Sequence, residues 1–113
     1  MRQPTIKEMR TRDALRLAER LTADPTPEEI EAANKAMRKF YIFAAAYQRS
    51  FYTEQNRNAS EAEKAAADDK SDKAYKRAAE ALKPYKLKIA LPGLFPIIEE
   101  MNGAHWTMGH YYL

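Results

Sequence analysis

Apolar side chains recur at Ile30, Ala33, Met37, Phe40, Ala44, Tyr47 and Phe51, at spacings that alternate between three and four residues. That alternation is a heptad seam, the mark of a helix that lays one stripe against another helix. Tyr41, Ile42, Phe43, Ala45 and Ala46 fill the remaining faces for two turns, which predicts a helix buried on several sides. Its start is written in Asp24-Pro25-Thr26-Pro27-Glu28-Glu29. Thr26 suits the N-cap, Pro27 the first helical position, and Glu29 completes a capping box. No Gly or Pro follows until Pro84, so this second helix is expected to run from about 27 to about 57, a length of about 46 Å.

The flanking patterns predict two more helices. Thr5-Ile6-Lys7-Glu8 has the form of a capping box and opens a first helix that reaches about Leu21. Asp13 interrupts its apolar stripe, so a later start near Thr11 also fits. Asn56-Arg57-Asn58-Ala59-Ser60 is a polar break, and Ser60-Glu61-Ala62-Glu63 caps a third helix that should stop before Pro84. This third helix is alanine-rich, with Tyr75 and Leu82 as its bulky apolar groups, and a smooth alanine surface suits the aromatic seam of the second.

After Pro84 the period changes. Lys86-Leu87-Lys88-Ile89-Ala90-Leu91 alternates polar and apolar residues, as a half-buried strand does. Asn102-Gly103 is a hairpin signal that suits a type I′ turn, so Phe95–Met101 and Ala104–Met108 are expected to pair. The competing reading makes Pro96–Met101 a short helix capped by Gly103. The expected fold is mainly α (α+β): three helices, a long antiparallel helical hairpin (about 27–57 and 61–83), and a small C-terminal β-hairpin element. Its 113 residues suit one domain, 1–113, with a helical part at 1–83 and a β-containing unit at 84–113.

Charge alters this picture only at the N-terminus. The formal net charge is +3, and residues 1–21 carry six cations against three anions while the rest balances. Arg10, Arg12, Arg16 and Arg20 lie in that segment, and arginine pairs bidentately with phosphate and carboxylate. An acidic partner, nucleic acid or protein, is one expectation; a solvated helix face is the other. The longest apolar run, Phe40–Tyr47, is eight residues against the roughly 20 of a membrane helix, and no secretory signal is read at the N-terminus. With no cysteine, thiol catalysis and Cys-ligated metal sites are excluded. A cytoplasmic protein fits best.

Candidate chemistry is sparse. His105 and His110 are five apart, which matches no single helical face, though Glu99 and Glu100 could approach His105 across a hairpin. Asp68, Asp69 and Asp72 read as a solvated face neutralised by Lys70 and Lys73, since no Glu-x-x-His completes a di-metal site. No phosphate loop, nucleophile elbow or His-Glu-x-x-His occurs. Catalytic residues, cofactors and metal ligands are therefore expected to be none.

Seven of the twelve aromatics lie between Phe40 and Tyr52 or at Tyr75, where core packing accounts for them. Trp106 reads as core or sub-core; His110, Tyr111 and Tyr112 are candidates for a partner contact, since Trp, Tyr and Arg are enriched in hot spots. The heptad seam could also serve a homodimer, although helix 3 can satisfy it within the chain. The expected function is a small non-enzymatic binding or adaptor protein acting through protein–protein contacts. The alternative is a nucleic-acid-binding accessory protein that uses the Arg-rich first helix. An inhibitor of a host protein, of the mobile-element type, makes the same demands on the sequence as an adaptor.

Overall fold

The computed structural model describes residues 6–104 and residue 106. Element order is α1 (Ile6–Ala18), α2 (Pro27–Gln55), α3 (Glu61–Leu82), a 3-10 turn (Lys83–Tyr85), β1 (Leu87–Ala90) and β2 (Ile97–Glu100). The chain is thus mostly helical with a small two-stranded antiparallel sheet near its C-terminus. No helix among the described residues is long and apolar enough to cross a membrane.

Local chemistry sets the helix ends. The Glu29 amide donates to Thr26 Oγ1 at 3.2 Å and the Thr26 amide to Glu29 Oε1 at 2.8 Å, so the capping box closes both ways. Ser60 caps α3 by accepting from the Glu63 amide at 3.1 Å, while its own hydroxyl donates to the Glu63 carboxylate. α3 continues unbroken through its polar run. α1 is shorter than expected: it ends at Ala18, where Arg20 and Leu21 amides turn inward to the Leu17 and Ala18 carbonyls. Its helix includes Ile6, so the start near Thr11 does not hold; the proposed Thr5 cap lies outside the described residues. α2 stops at Gln55 rather than Arg57.

The seam of α2 packs as its spacing predicts over its first half. Ala33, Met37, Phe40 and Ala44 are buried, and they share one core with Leu17 of α1 and Ala74, Ala78 and Leu82 of α3. Phe40 and Phe43 share that core with Ala74 and Ala78, whose small side chains suit bulky neighbours. Burial is not all-round, however: Ile42 is 59% exposed, as Ala45 is exposed, because no described element covers that flank.

The C-terminal unit differs in pairing from the expected hairpin. β1 pairs with β2, with Leu87 opposite Glu100 and Ile89 opposite Ile98. Lys86 makes the entry by adopting a left-handed conformation (φ 60°), which reverses the chain out of the 3-10 turn. The segment after β2 does fold back. The Glu100 amide donates to the Ala104 carbonyl at 2.8 Å and the Trp106 amide to the Ile98 carbonyl at 2.9 Å. The turn is not type I′, since only Gly103 has positive φ (+92°) and Asn102 does not. A bond from the Gly103 amide to the Glu100 carbonyl makes it a three-residue loop ending in a left-handed glycine. Asn102 accepts from the Ala104 amide through its side chain instead. Pro96–Met101 is not helical; the expected return strand to Met108 lies mostly outside the described residues. Leu87, Ile98 and Trp106 join the helical core, which ties this unit to the hairpin.

The seam makes a paired stability prediction. Phe40→Ala, at a fully buried position, should cost about 3–5 kcal/mol in denaturant unfolding, whereas Ile42→Ala should stay within about 0.5 kcal/mol. Equal costs at the two positions would show the register to be wrong.

Candidate functional site

The arginines of α1 and of the turn after it are mostly engaged within the chain. Arg20 donates from Nε to the Tyr85 carbonyl at 2.9 Å and from Nη1 to Glu100 Oε1 at 2.8 Å. One side chain thus clamps the start of the C-terminal unit and the end of β2 onto α1. The Arg16 guanidinium lies 5.1 Å from the Trp106 ring centroid, and that of Arg10 lies 4.6 Å from the ring centroid of Tyr41. Both are cation–π distances. Arg10 Nε is buried without a hydrogen-bond partner among the described residues. Arg12 is exposed and engaged with none of them. Three of the four candidate arginines therefore hold elements of this chain together.

The other candidates divide. Trp106 is buried at the edge of the core, in keeping with a packing role. His105, His110, Tyr111 and Tyr112 lie outside the described residues. Glu100 is bound to Arg20, and Glu99 faces Lys88 across the sheet at 3.8 Å. Burial raises the Tyr85 hydroxyl pKa above the ordinary 10.0. No group of three potential ligands that could hold a metal occurs among the described residues.

A groove that the sequence did not single out lies at the distal end of the α2–α3 hairpin. Beyond Ala44 the α2 seam loses its cover: Tyr47 is half-buried and Phe51 is 44% exposed. Phe43, Tyr47, Phe51 and Glu54 form one wall; Asp68, Ser71, Asp72 and Tyr75 form the other; Leu91, just after β1, stands at the margin. The volume is about 540 Å³. Phe43 anchors the floor, with ring centroids 5.3 Å from Tyr75, edge-on, and 5.8 Å from Tyr47. Each wall is a helical stripe, with spacings of four, four and three on α2 and three, one and three on α3.

Charge on α3 is sorted between its two flanks. Glu54, Asp68 and Asp72 line the groove, where no cation does, and none of the three forms an ion pair among the described residues. Lys70, Lys73 and Arg77 line a smaller depression on the opposite flank, with Ile42, Ala46 and Asp69. Lys73 pairs there with Asp69 at 3.0 Å and leaves Asp68 and Asp72 unneutralised. The α2 stripe beside that depression runs Lys35, Lys39, Ile42, Ala46 and Arg49, and α2 carries no acidic residue between 32 and 53. The expected neutral acidic face is thus two faces of unlike sign.

No protein-family model matches the chain, and no curated protein or solved structure shows significant similarity to it.

The division of labour among the arginines is testable by unfolding. Arg20→Met should lower stability by about 1–2 kcal/mol, since it strands the Tyr85 carbonyl and Glu100 together. Arg12→Gln should change it by less than about 0.5 kcal/mol.

Proposed function

We propose that this chain is a non-enzymatic binding or adaptor protein that acts through protein–protein contacts, with the distal α2–α3 groove as its docking surface. The observation that carries the reading is the uncovered end of the heptad seam, where Phe51, Tyr75 and Leu91 stay solvent-accessible around a groove built on a rigid hairpin. Exposed aromatics in a concave, pre-formed site are the usual anchors of protein recognition. A cytoplasmic location suits such an adaptor and the lack of cysteine. Affinity capture from extract of the source cell tests it. A partner held by the wild-type chain should be weakened by about 2 kcal/mol or more in Phe51→Ala, and unaffected by Arg12→Gln. Capture indifferent to Phe51 would refute the groove as the docking surface.

A second reading, nucleic-acid binding, is favoured by the opposite flank rather than by α1. Lys35, Lys39, Arg49, Lys70, Lys73 and Arg77 flank Ile42 there with little opposing charge. On this reading, duplex retention falls steeply with salt and is lost in Lys70→Glu/Lys73→Glu/Arg77→Glu. Retention that survives this triple change rules the flank out.

A further inference from the structure

We infer that the occupant of the distal groove is a basic amphipathic helix of a partner protein, one lysine or arginine of which inserts between the aromatic walls toward Ser71 and Asp72. This rests on the docking reading above and adds the chemistry of the partner.

Shape supplies the first argument. The α2 wall extends from Phe43 to Glu54, a rise of about 16 Å, and both walls are helix stripes. A groove between two antiparallel helices takes a third helix along its length. About three turns of partner helix fill its length.

Charge supplies the second. Three carboxylates line the groove and, among the described residues, no cation does, so its rim is of one sign. The groove acids stand on both walls and do not gather into a metal-binding cluster. Spread along an aromatic floor, they suit several cationic side chains in series better than one compact ion. Aromatic faces beside carboxylates also favour a cationic tip, because the ring quadrupole and the anion attract it together.

The Ser71 hydroxyl adds a polar contact point on the α3 wall. Ser71 is only 5% exposed and lines this groove, and its hydroxyl bonds no described side chain and stays open to solvent. The ammonium of a lysine carries three donors and can serve the Ser71 hydroxyl and the Asp72 carboxylate at once. Apolar residues on the same partner face would rest on Phe51 and Leu91.

The test uses the full chain and fluorescence anisotropy with a labelled peptide of about 14 residues, built from leucines at helical spacing flanked by lysines, and a twin with glutamate for every lysine. The lysine peptide should bind, and the glutamate twin should bind at least about tenfold more weakly. Asp68→Asn/Asp72→Asn together should weaken the lysine peptide about tenfold, as should Phe51→Ala. Ser71→Ala should weaken it too, and since alanine favours helix, that loss does not come from unfolding. Lys70→Ser/Lys73→Ser, on the opposite flank, should leave binding unchanged. Equal affinity for both peptides, or indifference to the groove substitutions, overturns the inference. Self-association of the chain that Phe51→Ala abolishes also overturns it, by assigning the groove to a second copy. If the lysine peptide fails while Phe51→Ala still releases a captured partner, the basic helix is wrong and the docking reading stands. If Phe51→Ala releases nothing, the docking reading fails first.

Discussion

Everything in this molecule hangs on the packing of a bulky seam on α2 against small side chains on α3. Phe40 and Phe43 share one core with Ala74 and Ala78, whose small side chains leave room for them. α1 and the C-terminal sheet then have a single apolar surface to close over. The same constraint explains where the core stops. Toward its N-terminus α3 lines the continuing seam with Ser71, Asp68 and Asp72, and Tyr47 and Phe51 are less covered there than Phe40. The groove is the core running out of cover.

The arginines illustrate how one side chain can be misjudged from composition alone. As a charge count they are an excess at one end of the chain, available to an outside partner. In the fold, Arg20 takes a carbonyl and a carboxylate sixty-five and eighty residues away in sequence, while Arg10 and Arg16 lie over aromatic rings. The planar, many-donor guanidinium suits both tasks. Charge thus serves closure of the fold, and its surface field arises elsewhere, on the flanks of α3.

Much of the architecture was legible because it is written in local signals. Pro27 and Thr26 start α2, Ser60 starts α3, Pro84 ends it, and the alternation from Leu87 to Ala90 is a strand. The pairing of β1 with β2 was not legible: Pro92, Gly93 and Pro96 read as interruptions, although they form the connection between the two partners. The Asn102-Gly103 turn was located correctly, but its type depends on one extra residue, Met101, which local composition does not specify. The groove was invisible for a different reason. Phe51 sits in the same periodic position as Phe40, and only the lengths of the covering elements decide which of them meets water. Asp68 and Asp72 likewise stand beside Lys70 and Lys73 in sequence, yet a helix turns neighbours to opposite sides.

That last geometry has a kinetic meaning. With anions on one flank of α3 and cations on the other, the helix presents local fields of unlike sign on its two sides. Any charged body drifting within a Debye length feels a torque as well as a pull. It arrives already turned toward the flank it suits, and encounters at the wrong flank are rejected before atoms touch. Orientation, which usually costs protein association most of its speed, is here prepared in advance by the handedness of a single helix.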